Sequence, residues 1–191
     1  MSVEPVERAT PSGEDPDLAD VRAAQHDRAA FAVLYRRYLD RVYGYAFYLL
    51  GDHHDAEDAT ERTFLAALAA IDRFRDRGSS FRAWLFRIAH NQVANAVRSR
   101  RRHRTEPLDP AAEPPSAADP AGDVALADDA RRVRRALETL SDDRRNVLVL
   151  RFVDGLSARE IGAVLDRSDG AVRILQHRAL RDLAAALARG E

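Results

Sequence analysis

The sequence predicts an all-α chain made of two small helical domains joined by a flexible acidic linker. Three observations carry that expectation. Apolar residues recur at steps of three and four along most of the chain, the helical period, and no stretch alternates as a strand would. A proline-rich acidic segment interrupts the pattern once, between Glu106 and Ala130. Beyond it, a short amphipathic helix, a compact turn and a longer helix with an arginine-rich free face follow in succession.

The chain opens on an acidic, proline-containing stretch, Met1 to Asp20, with no apolar segment of the kind that makes a signal peptide. Residues 1–20 are expected to be a disordered tail. No later apolar run reaches the ~18 residues that suggest a membrane span, so a cytoplasmic chain with no membrane insertion is expected. The 191 residues include no cysteine, which excludes disulfides and thiolate metal sites. Nothing in the sequence calls for a cofactor. At 46% hydrophobic but only 7% aromatic, the core must be mostly aliphatic.

Residues 21–104 are expected to form the first domain. From Asp27, one face carries Phe31, Leu34, Tyr35, Tyr38, Val42, Tyr45 and Leu49. Gly51 breaks this helix. A second starts near Asp52 and turns Ala56, Ala59, Thr63, Phe64, Ala67, Leu68 and Ile71 inward. A third follows Gly78-Ser79-Ser80, a serine being the expected N-cap, and runs to about Arg100. Its core stripe is Phe81, Trp84, Leu85, Ile88, Ala89, Val93 and Ala96; its free stripe is Arg87, His90, Asn91, Ala94, Asn95 and Arg98.

Charge is segregated along this domain. Asp52, Asp55, Glu57, Asp58 and Glu61 crowd one helix start, where carboxylates favour the positive end of the helix dipole. That accounts for Asp52 and Asp55 better than for Asp58 and Glu61, which leaves a docking surface for a basic partner open. Residues 73–104 hold ten arginines against one acid, Asp76, the electrostatic footprint of a phosphate-binding surface. Arg, His and Asn on the free stripe can bond phosphates or base edges, and Asn suits adenine. Trp84 lies between the stripes, as a core residue or as a platform for a base. His53 and His54 are adjacent, so they do not share a helix face as metal ligands would.

Residues 105–126 are expected to be the linker, too rich in proline and acid to offset their ordering entropy, with the tail leading into the next helix. Residues 127–191 are expected to form the second domain. Val133, Leu137, Leu140, Val147, Leu148, Leu150 and Phe152 resume the helical pattern. Ser157-Ala158-Arg159-Glu160 is a capping box opening a short helix with Ile161, Val164 and Leu165 inward. Asp166-Arg167-Ser168 is a turn, and Ser168 can cap a longer helix that buries Val172, Leu175, Ala179, Leu183 and Leu187. Its other face shows Gly170, Arg173, Ile174, His177 and Arg181. This is either a helix-turn-helix for the major groove or an ordinary hairpin with a solvated basic face.

These segments resemble a known family. Asp55-Ala56-Glu57-Asp58-Ala59-Thr60 with Thr63-Phe64, and Phe81-Arg82-Ala83-Trp84-Leu85-Phe86-Arg87-Ile88-Ala89-His90-Asn91, are similar to region 2 of extracytoplasmic-function sigma factors. Leu140-Ser141, Arg145, Val147-Leu148, Arg151-Phe152, Gly155-Leu156-Ser157 and Glu160-Ile161 resemble region 4. The resemblance implies a non-enzymatic promoter-specificity subunit of RNA polymerase. Asp55, Glu57, Asp58, Glu61 and Phe64 would dock on the β′ clamp helices, and region 4 on the β flap. Arg77, Ser79, Ser80, Trp84, Arg87, His90, Asn91, Asn95 and Arg98 would read and open the −10 promoter DNA. Arg167, Ser168, Arg173, His177, Arg178 and Arg181 would read the −35 element, and a separate anti-sigma factor would regulate the chain. Leu85 stands where housekeeping members carry a second tryptophan, which implies weaker melting and stricter promoter choice. The rival is a stand-alone regulator binding duplex through the second domain; it leaves the acidic helix unexplained.

Overall fold

The computed structural model describes residues 15–76, 79–103 and 124–189, with backbone alone for 103 and 124–130. All regular structure among them is helical: α1 (Leu18–His26), α2 (Phe31–Leu50), α3 (His53–Ala70), α4 (Phe81–His103), α5 (Val124–Glu138), α6 (Asp142–Leu148), α7 (Ala158–Leu165) and α8 (Asp169–Arg189).

The helix ends follow from local chemistry. Asp52 caps α3, its carboxylate accepting from the Asp55 amide at 2.9 Å. Ser80 Oγ accepts from the Ala83 amide at 3.2 Å, the serine cap expected of α4. Gly51 ends α2 at φ 74°, a left-handed conformation that costs glycine little. The described chain begins at residue 15 and α1 at Leu18, before the boundary expected at residue 20. Asp17 is 2% exposed and takes the Arg37 guanidinium and the Tyr38 hydroxyl, while Asp15 accepts from the Phe81 amide at the start of α4. The acids of this segment serve two other helices, Asp17 anchoring side chains along α2 and Asp15 capping the start of α4.

In the first domain α2, α3 and α4 pack together, with α1 against α2. Tyr45, Phe81, Phe86, Leu34 and Leu85 are among its fully buried side chains. In the second, α5, α6 and α7 pack on α8. Between α6 and α7 the chain makes one π-helical turn, Val149–Val153. A π turn shifts the face that later residues present. Hence Phe152 is 61% exposed with Val153 beside it, while Val149 and Leu150 go into the core.

The two domains also touch. α4 lies along α7, α2 meets the π turn, and one apolar cluster runs through both. Arg134 of α5 donates to the Gly51 carbonyl at 2.7 Å and sits 5.1 Å over the Phe47 ring.

Candidate nucleic-acid interface

The second domain holds a complete helix-turn-helix. Ser157 accepts from the Glu160 amide while Glu160 accepts from the Ser157 amide at 2.9 Å, the reciprocal capping box read from the sequence. α7 ends on Asp166 at φ 55°, and the following turn is so tight that a Cβ on Gly162 would meet the Arg167 carbonyl oxygen at 2.5 Å. Ser168 then caps α8, its Oγ accepting from the Ala171 amide at 3.3 Å. Val172 and Ala179 seat α8 on the core. Arg173, Ile174, His177, Arg178 and Arg181 are left exposed along the opposite face. Arg167 pairs with Asp143 at 2.5 Å, so part of its charge is spent inside the domain.

On α4 the exposed stripe is Arg87, Asn91, Asn95 and Arg98, with Arg98 donating to Asn95 at 2.5 Å. His90 departs from expectation. It is half-buried, 3.0 Å from the Tyr45 hydroxyl and 3.3 Å from Asn146 Oδ1 of α6. Burial holds its pKa below the usual histidine value despite the pull of Asn146 and Asp143, so the ring is neutral in this position. Trp84 is half-buried against Phe74 and Phe81, at centroid distances of 5.3 and 5.5 Å. It helps line a cleft of about 440 Å³, with Ser79 and with Arg73, Arg75 and Arg87 at its rim. Basic groups around aromatic rings suit an unstacked base and its phosphate. Arg77 lies outside the described residues.

The acidic helix faces elsewhere. Phe64 packs edge-on to Tyr35 at 4.8 Å in an apolar cleft of about 710 Å³ between α2 and α3. Glu57, Glu61 and Asp40 line this cleft, and Leu65 on it is 59% exposed. Asp55 is paired with Arg100, and Asp58 with Arg62 at 3.3 Å, so Glu57 and Glu61 are the acids best placed to meet a basic partner. His53 stacks on Phe47 at 4.4 Å and meets the Tyr43 hydroxyl at 2.5 Å.

Residues 34–103 match the sigma-70 region 2 family, and residues 136–185 match sigma-70 region 4. The ECF RNA polymerase sigma factor ShbA of Streptomyces griseus is 39% identical over 142 residues, 72% of this chain and 74% of that protein. The chain belongs to the extracytoplasmic-function sigma factor family. Another member, BldN of Streptomyces coelicolor, is 37% identical over 171 residues, covering 85% of this chain. This chain spans about three fifths of the length of two such relatives, 62% for BldN and 61% for SigD of Mycobacterium tuberculosis. The solved structure of CnrH in complex with the cytosolic domain of CnrY superposes with a TM-score of 0.71 at 28% identity, covering 93% of this chain and all of that one. None of the described helices is long and apolar enough to cross a membrane.

Sequence reasoning missed Arg82, Tyr45, Asn146 and Asp154. Arg82 reaches Glu160 at 2.6 Å, and the Tyr45 hydroxyl donates to Asn146 at 2.7 Å. Asp154 is 1% exposed, with neither carboxylate oxygen bonded to any described residue, while Arg41 donates to its carbonyl. Burial pushes its carboxyl up to about 8, against the opposing pull of Arg41 and Arg82. These contacts join distant parts of the chain, and no local pattern announces them.

Proposed function

We propose that this chain is a promoter-specificity subunit of bacterial RNA polymerase. It docks on the β′ clamp helices through the α2–α3 cleft and on the β flap through region 4. It reads and helps open the −10 element with Ser79, Ser80, Trp84, Arg87, Asn91, Asn95 and Arg98, and reads the −35 element with Arg173, His177, Arg178 and Arg181. The observation that carries this reading is the apolar cleft rimmed by Glu57 and Glu61. A regulator that only bound duplex would have no use for it. An apolar floor with an acidic rim fits a partner helix bearing aliphatic and basic residues, the charges setting the orientation. The likeness to the sigma factor RpoE of Bartonella quintana, solved in complex with the anti-sigma factor NepR, supports a separate anti-sigma protein as a further partner.

The test is run-off transcription with purified core polymerase on a panel of native promoters. Promoter-specific transcripts are expected with the wild type, and loss of those transcripts with Glu57→Arg and Glu61→Arg together. Duplex binding by the isolated chain without any stimulation of core polymerase would overturn the proposal in favour of a stand-alone regulator.

A further inference from the structure

Among the described residues, the large apolar side chains left more than half exposed are Leu65, Phe152 and Ile174. Leu65 lies in the cleft between α2 and α3, and Phe152 is turned out by the π turn. Ile174 is different. It stands in the second turn of α8, 56% exposed, with Arg173 beside it and His177 and Arg178 one turn further on, all exposed. α8 is seated on the core through Val172 and Ala179, so Ile174 does not serve the packing of the domain. A β-branched apolar residue is also a poor choice for a solvated helix face, being a weaker helix former than alanine or arginine. One turn earlier, Gly170 has no packing reason either: a Cβ there would meet nothing within 4 Å, although alanine favours a helix. The two positions together leave an apolar knob beside a bare stretch of backbone, edged by basic side chains.

We infer that Ile174 reads the methyl group of one thymine in the −35 element. The inference rests on the reading of α8 as the recognition helix and deepens it. Thymine carries a methyl group on its major-groove edge, and apolar side chains single it out by contact with that group. Residues near the start of a recognition helix are the ones that reach base edges, and the bare backbone at Gly170 lets this part of α8 come close. The stiff χ1 of isoleucine loses little freedom on contact. Isoleucine also offers no donor or acceptor. A cytosine amine or a purine edge at that position gives up its water and gains no partner in return, which penalises the other bases. Arg173 and Arg178 supply attraction for phosphates and guanines, whereas Ile174 sets the choice at one base pair.

The test uses the full chain, tagged, in the presence of core polymerase. Duplexes are selected on it from a randomised pool, and each thymine of the selected duplex is replaced singly by deoxyuridine, which removes the methyl group and keeps every hydrogen-bonding atom. In fluorescence anisotropy titrations, one replacement should weaken binding of the wild type about threefold to fivefold, the effect of one methyl group taken out of water. Ile174→Ala should bind the thymine and uracil duplexes at that position equally, and Ile174→Val should keep part of the difference. Thermal unfolding confirms that both variants fold. The absence of any position at which Ile174→Ala abolishes the effect of the methyl group overturns the inference, and so does failure to select any duplex. Run-off transcription separates this result from the sigma reading. A methyl-sensitive duplex bound by a chain that does not stimulate core polymerase would sink that reading and leave the role of Ile174 standing.

Discussion

Asp154 makes the fold sensitive to pH in a direction opposite to that of most carboxylates. The ordinary carboxyl ionises near 3.8, whereas this one, buried and without a bonded partner for either oxygen among the described residues, holds its proton up to about 8. Between those values the unfolded chain has lost a proton that the folded chain keeps. Stability is therefore whole below pH 3.8, falls as pH rises, and the contribution is gone above about 8. Each pH unit in this window costs at most about 1.4 kcal/mol. From pH 6.5 to 8 that is roughly 2 kcal/mol, or about 4–8 °C in a chain of this size. Asp154→Asn keeps the shape and removes the titration. Neutral His90 does not interfere, because its lowered pKa penalises folding only as pH falls, and the lowered pKa of Glu160 acts in still more acid solution. Thermal unfolding at pH steps from 6.5 to 8 should show a sloping wild type and a nearly flat Asp154→Asn variant. Parallel slopes for the two proteins would refute a protonated, buried Asp154.

Three further expectations follow from the geometry. Gly162→Ala sets a methyl group against the Arg167 carbonyl and should cost about 1–3 kcal/mol in thermal unfolding, with weakened duplex binding because the turn carries α8. Arg173→Ala should lower affinity for −35 duplex by about 1–3 kcal/mol in a fluorescence anisotropy titration while leaving binding to core polymerase unchanged. Leu85→Trp, which restores the aromatic of housekeeping members by resemblance, should destabilise rather than help melting, since Leu85 is 0% exposed. A lower unfolding midpoint with no gain in transcription on premelted templates is the expected pair of results.

Much of the architecture could be read from the chain. The period of three and four placed α2, α3 and α4, Gly51 and the serines marked their ends, and the capping box and Ser168 delimited α7 and α8. These signals are local, each resting on residues within a turn or two of one another. α1 escaped notice because it buries little, chiefly Val21 and Ala24, and is held by the polar anchor of Asp17. The exposure of Phe152 is not legible in the sequence because a π turn cannot be told from an α turn by hydrophobic period. On α4 the wheel separated core from free stripe correctly for Arg87, Asn91, Asn95 and Arg98. It could not show that His90 and Arg82 face a second domain, because Asn146 and Glu160 lie beyond the linker. Phe86 is fully buried for the same reason: α4 packs on two sides, not one.

The two tasks of Glu160 limit how this protein can change over time. One carboxylate both starts α7 and receives Ser80 and Arg82. Any replacement at 160 alters the helix-turn-helix and the grip between domains together, so selection cannot adjust one without disturbing the other. Arg82 carries no such double duty, whereas Ser80 also caps α4. A lineage that tightens or loosens the contact between the two domains should therefore vary at Arg82 and keep the glutamate fixed.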